Sequence, residues 1–186
     1  MEAIKKFVVI GPESTGKSTL CSQLAEHYQT AWIPEYAREY LETNLPARQA
    51  GGNDYTYDNL LTIAKGQIQL EDAIVSESSP SDNRQLFLID TDMYVMKVWC
   101  EFVFHKCHNW ILNRIAERKY HGYLLCNVDL PWVKDNLREY PDPGTREKLY
   151  HFYKDIVVNQ PLPWVDISGS YDERLKRAIH FINQVK

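Results

Sequence analysis

The chain has 186 residues, of which 44% are hydrophobic and 25% charged, with a formal net charge of −4. That length builds one α/β domain with a full core and leaves too little for two. The acidic balance argues against a nucleic-acid or anionic-membrane surface, which needs a basic excess, and no apolar run approaches the length of a membrane span.

The N-terminal residues run straight into a first strand, Phe7-Val8-Val9-Ile10, leaving no room for a signal peptide; a cytoplasmic location is the expectation. Next comes Gly11-Pro12-Glu13-Ser14-Thr15-Gly16-Lys17-Ser18, then Thr19, which fits the phosphate-loop pattern G-x-x-x-x-G-K-[ST] without a gap. Leu20, Leu24 and Tyr28 recur behind it at helical spacing, so the loop lies between a strand and a helix. Glycines let the backbone N–H groups turn inward and join the helix N-terminus in an anion-binding nest. Lys17 is expected on the β- and γ-phosphates and Ser18 on Mg²⁺. Gly11, Glu13, Ser14, Thr15, Gly16, Lys17, Ser18 and Thr19 are therefore the expected contacts of a nucleoside triphosphate.

Ala31-Trp32-Ile33 reads as a short second strand closed by Pro34, and a helix follows over 35–41. Residues 44–55 read as a loop, about 57–75 as a helix, and 76–83 as a polar loop. Leu86-Phe87-Leu88-Ile89-Asp90 is a second buried-strand signal, ending in a carboxylate. A long helix through Val95, Val98, Trp99 and Phe102 follows, then another over 111–118. Cys100, His105, Cys107 and His108 crowd together, but their spacing fits no structural zinc pattern, so packed, reduced cysteines are expected. Tyr123 to Val128 gives a third strand, 129–146 a segment rich in Pro, Asp and Arg, and 145–157 a helix. Trp164 to Ser168 is a last strand, and Gly169-Ser170 opens the terminal helix. Strands alternating with helices imply a parallel sheet covered on both faces, with ligands at the carboxyl ends of the strands.

Several side chains converge on that end. Asp90 has the position of a Walker-B carboxylate, which holds Mg²⁺ beside Ser18; capping of the next helix is the alternative. Asp92 could accept the proton of an attacking hydroxyl, bind that hydroxyl, or simply cap. Glu35 and Arg38 suit a polar acceptor, or form a surface ion pair. Arg138 and Arg146 could meet a transferring phosphoryl group from a mobile flap, or be solvated. A GTPase switch would need Asp-x-x-Gly after the second buried strand and an Asn-Lys-x-Asp reader. Asp90-Thr-Asp-Met93 and Asn127-Val-Asp129 supply neither.

Taken in order, five stretches resemble the ribosylnicotinamide kinase domain of NadR-type NAD-biosynthesis proteins. They are Gly11 to Ser18, Glu35-Tyr-Ala-Arg-Glu39, Asp90-Thr-Asp92, Pro131-Trp-Val-Lys-Asp-Asn-Leu-Arg138 and Ser168-Gly-Ser-Tyr-Asp-Glu-Arg174. The resemblance implies an α/β P-loop NTPase fold of nucleoside-kinase type, a single kinase domain over 1–186 with a lid at about 130–146. It implies ATP and Mg²⁺, and phosphorylation of the 5′-hydroxyl of nicotinamide riboside to nicotinamide mononucleotide. By position, Lys17, Asp90, Asp92 and Arg138 would be catalytic, with Ser18 and Asp90 on the metal. Glu35, Tyr36, Arg38, Asp92, Trp132 and Asp135 would serve the riboside, whose cationic ring favours aromatic faces and carboxylates. Arg138, Ser170 and Tyr171 would join the phosphate loop on ATP. Two departures stand out. Here the chain begins directly at the kinase strand, whereas NadR-type proteins carry an adenylyltransferase domain before it, so neither that activity nor DNA repression is expected. Pro34 also stands where some relatives have an aromatic residue. Another nucleoside or small metabolite remains the alternative acceptor, and a nucleotide switch without acceptor phosphorylation the alternative class. The sequence is silent on oligomeric state.

Overall fold

The computed structural model describes residues 4–44, 55–77, 86–135 and 137–185. The loops expected over 44–55 and 76–83 fall almost wholly outside the described residues. In chain order the elements are β1 (Lys5–Ile10), α1 (Lys17–Tyr28), β2 (Trp32–Ile33), α2 (Tyr36–Asn44), α3 (Tyr57–Ser76) and β3 (Leu86–Asp90). There follow α4 (Met93–Phe104), α5 (Asn109–Glu117), β4 (Gly122–Cys126), α6 (Pro143–Asn159), β5 (Trp164–Ile167) and α7 (Tyr171–Val185).

The strands form one parallel sheet in the order β2-β3-β1-β4-β5. From β1 the chain goes to the edge strand β2, returns to place β3 between β2 and β1, then crosses over to β4 and β5 on the other side. β1 is therefore the switch point of the sheet, and the crevice beyond its carboxyl end is where such sheets bind ligands. Side chains alternate across it with period two. Phe7 and Val9 face a core shared with Leu20 and Leu24 of α1 and Phe181 and Ile182 of α7. Val8 and Ile10 face the other core, against Val95 and Val98 of α4 and Tyr153 and Val157 of α6. A third apolar cluster joins α2, α3, α4 and α5, with Leu41, Leu60, Ile63, Met96 and Ile111 at its centre. This helical layer stands beside the carboxyl edge of the sheet and forms the far wall of the crevice.

Caps set the boundaries. α6 starts at Pro143 rather than 145, because Asp142 accepts from the Thr145 N–H and Pro143 occupies the first turn. α3 opens with a reciprocal Thr56–Asn59 capping box. α2 starts one residue later than expected, at Tyr36. Its first N–H donates to Gln67 Oε1 at 2.8 Å, and Gln67 Nε2 donates back to the Pro34 carbonyl. Gly66 is the other half of that joint: a Cβ there would lie 2.0 Å from Cε1 of Tyr36. Among the described residues no helix is long and apolar enough to cross a membrane.

Candidate active site

The phosphate loop depends on two glycines. Gly11 has φ +141°, and a Cβ there would sit 2.7 Å from the Cys126 carbonyl oxygen. Gly16 has φ +77° and is the N-cap of α1 with no side chain capping it, so the first amides of α1 point into the crevice. Turning N–H groups inward turns carbonyls outward, and those need donors. Two buried arginines supply them. Arg146 donates to the Ser14 and Leu130 carbonyls at 3.2 and 3.3 Å. Arg174 donates to Thr15 at 3.0 Å, to Asn127 and Gly169, and to the Asp129 carboxylate. The Lys17 amine donates to the Pro12 carbonyl at 3.0 Å, at the centre of the loop.

β3 delivers the carboxylates. Asp90 is fully buried; the Ser18 hydroxyl donates to its Oδ2 at 2.5 Å, while its Oδ1 has no hydrogen-bond partner among the described residues. Burial, reinforced by the nearby Glu35 charge, raises the Asp90 carboxyl to about 6 against the pull of Lys17 and Ser18. An orphaned carboxylate oxygen beside a serine hydroxyl suits a hard cation with oxygen ligands, so these residues fit Mg²⁺. Thr91 follows with φ +80°, a strained conformation for a β-branched residue, and its buried hydroxyl is also unpartnered.

Asp92 takes one of the arrangements its position left open. Its Oδ1 accepts the Tyr94 and Val95 N–H groups at 2.9 and 3.3 Å, capping α4, and its Oδ2 accepts from the Tyr123 hydroxyl at 3.0 Å. With 2% exposure and both oxygens engaged, it has the capping role among the alternatives open to it. Burial pushes its carboxyl up to about 7 despite those three donors.

The segment between β4 and α6 folds down onto the phosphate loop. The Glu13 carboxylate receives the Tyr140 N–H and the Trp132 indole N–H on one oxygen and the Glu139 N–H, at 2.9 Å, on the other. The Ser14 hydroxyl accepts from the Val133 N–H at 2.9 Å. Arg138 donates to the Val133 carbonyl and lines the crevice. On the opposite rim Arg38 donates through both nitrogens to Asp135, at 3.3 and 3.2 Å. Burial would raise the Asp135 carboxyl, but the Leu137 N–H and Arg38 together hold it below its usual range.

Beneath the lid lies a cavity of about 210 Å³ that runs from Gly11–Thr19 to an aromatic end. That end is walled by Trp99 and Phe102 of α4, Tyr140 of the lid and Tyr153 of α6, with Glu35, Arg38 and Glu139 along its sides. Phe102 and Tyr140 meet edge to face at 5.3 Å, which seats the lid on α4.

The expected residues thus divide. The phosphate loop, Glu35, Arg38 and Arg138 line the cavity, and Asp90 stands directly behind Ser18. Glu13 lines it too, with its carboxylate bonded to Trp132, Glu139 and Tyr140 of the segment between β4 and α6. Tyr36 lies over Gly66 on α3, and Trp132 and Asp135 act as lid fastenings; none of the three lines the cavity. Arg146, for which a phosphoryl contact and a solvated position were both open, braces the loop from behind. Ser170 caps α7 through Glu173, and Tyr171 packs on the outside of Gly16. The aromatic wall was missed as a site, because helical spacing at Trp99 and Phe102 reads the same for a core face and a cavity face. Arg174 closes the Ser168–Arg174 stretch of the resemblance but carried no role there, and Gln67 carries no local signal.

Residues 6–174 match the family described as the AAA domain. The trifunctional NAD biosynthesis/regulator protein NadR of Escherichia coli (strain K12) is 25% identical over 185 residues, which is 98% of this chain and 43% of that protein. The chain therefore spans less than half the length of this curated relative. Among solved structures, NadR in complex with NR superposes with a TM-score of 0.77 at 22% identity, covering 98% of this chain and 50% of that one. Thymidylate kinase from Candida albicans superposes with a TM-score of 0.66 at 16% identity, covering 98% and 92%. The architecture shared with these is that of P-loop kinases.

Proposed function

We propose, from the premise that this chain belongs to the AAA-domain family, that it is an ATP-dependent kinase of nicotinamide riboside, releasing nicotinamide mononucleotide and ADP. The observation that carries this reading is the continuity of one cavity. A phosphate nest at one end opens directly onto an aromatic, carboxylate-edged chamber at the other. A flat ring with a fixed positive charge suits that chamber, because aromatic faces and carboxylates both stabilise a cation desolvated between them. NadR, which is solved with NR, supports the same acceptor.

In this reading the triphosphate lies along Gly11 to Thr19, with Lys17 released from the Pro12 carbonyl onto the β- and γ-phosphates. Ser18 and Asp90 would hold Mg²⁺, which when bound would supply positive charge against that of the phosphates. The 5′-hydroxyl oxygen attacks the γ-phosphorus while the bond to the β,γ-bridging oxygen breaks, and ADP departs. Glu35, a cavity-wall carboxylate whose charge bears on Asp90, binds that hydroxyl and takes its proton. Arg138 faces the equatorial oxygens from the lid, and the docked lid keeps water from competing as acceptor.

ADP release measured across a panel of ribosides and nucleosides tests the proposal. Nicotinamide riboside should be the best acceptor; no stimulation by it would overturn this reading, and a different best acceptor would replace it.

A further inference from the structure

Trp99 and Glu139 line the acceptor end from opposite sides, one on α4 and the other on the lid. They are joined by a residue that does not line the cavity. The Trp99 indole N–H donates to the Tyr55 hydroxyl at 2.7 Å, and that hydroxyl donates to Glu139 Oε2 at 2.9 Å. Tyr55 is only 3% exposed, and its ring stands edge-on to Trp99 at 5.0 Å. The Tyr140 hydroxyl lies against the same two groups, Glu139 and Tyr55. Glu139 is in turn tied by its backbone N–H to Glu13 of the phosphate loop. A continuous path of hydrogen bonds therefore runs from the donor loop through the lid to the acceptor wall.

We propose that Tyr55 is the positioning residue of the acceptor chamber, holding the Trp99 ring and the Glu139 carboxylate in register so that the chamber accepts a cationic ring and rejects one whose positive charge is offset by a carboxylate of its own. This rests on the kinase reading above. The indole has a single donor and one place to put it, so the Tyr55 oxygen fixes the plane of the ring about its side-chain torsions. The same hydroxyl spends its proton on Glu139 and, with the Tyr140 hydroxyl, aims that carboxylate along the wall. A ring bearing its own carboxylate would then meet Glu139 and Glu35 as like charges in a partly desolvated site, where such repulsion is felt most. Because Glu139 takes its place only when the lid is seated on Glu13, acceptor discrimination is assembled by lid docking.

Two variants separate geometry from charge. Tyr55→Phe keeps the ring in the core and removes the bridging oxygen. It should raise KM for nicotinamide riboside about tenfold, as expected for one lost charge-assisted bond, and leave KM for ATP and the protection of α7 amides unchanged. Amide exchange in the lid peptide 137–142 should speed up in the same variant. Glu139→Gln still accepts from Tyr55, so lid protection should persist. Its preference for nicotinamide riboside over nicotinic acid riboside, measured as the ratio of kcat/KM values, should nevertheless fall about tenfold. Unchanged KM and lid exchange in Tyr55→Phe would overturn the inference, as would an unchanged ratio in Glu139→Gln. If instead the unmodified protein phosphorylates neither riboside, the kinase reading itself falls and takes this inference with it.

Discussion

The Arg174 guanidinium donates to the Thr15 carbonyl at 3.0 Å and thereby holds the phosphate loop from the side away from the crevice. The same group bonds Asn127 after β4 and Gly169 after β5, so one buried side chain fastens three strand ends together. Arg174→Met should leave those carbonyls without donors in a site that water reaches poorly. We expect a loss of about 3 kcal/mol in unfolding free energy, read from denaturant melts. A variant as stable as the parent would show that water replaces the arginine without cost.

Lys17 behaves in the opposite way. Its amine donates to the loop's own Pro12 carbonyl, which water can serve in its place, so Lys17→Ala should melt close to the parent. Acceptor-dependent ADP release should be abolished. Retained turnover with an unchanged melt would remove Lys17 from the proposed mechanism.

Glu13 binds the lid with three donors, and substitution at this position separates lid docking from phosphate binding. Glu13→Ala should speed amide exchange over residues 132–140 and lower kcat at least tenfold, the cost of one strong bond lost in the closed state. Calorimetry should show a non-hydrolysable ATP analogue binding with little change, because the loop amides remain. A weakened analogue with a rigid lid would put the Glu13 side chain on the nucleotide instead.

Asp92 sets a pH dependence of stability. Its carboxyl ionises near the ordinary 3.8 when unfolded, and burial pushes it up to about 7 in the fold. The native state therefore holds an extra proton between about pH 4 and 7, and this contribution to stability is complete below 4 and lost as pH rises through 7. Asp90, raised to about 6 by burial and Glu35, adds a change of the same sign. Asp92→Asn still caps α4 through its amide oxygen and can donate through its amide nitrogen to the Tyr123 oxygen, but it no longer titrates. Its stability relative to the parent should rise between pH 5 and pH 8 in urea melts; a constant difference would contradict the shift.

How much of this was legible in the sequence follows from how local each signal is. Gly11 to Ser18 and Leu86 to Asp90 are contiguous, so a strand, a loop and a carboxylate could be read with near-correct bounds. The parallel sheet followed from alternation alone. The role of Asp92 was ambiguous because a cap and a base require the same residue at the same place, and only the Tyr123 hydroxyl, 31 residues away, decides where its second oxygen goes. Arg146 and Trp132 were placed in the right neighbourhood, yet the direction each points depends on the outward carbonyls of the loop and on Glu13. The acceptor wall draws on α4, α6 and the lid together, and no spacing rule joins elements so far apart.

Gly66 carries a last implication. A glycine inside a helix costs about 1 kcal/mol relative to alanine, yet here the bare backbone lets Tyr36 settle onto α3 and brings the start of α2, with Glu35 and Arg38, up to the rim of the phosphate loop. The aperture through which an acceptor enters is thus gauged at a position that contributes no atom to it. Each methyl group added there would act as a shim between two helices, widening the entrance while leaving the triphosphate end of the cavity untouched.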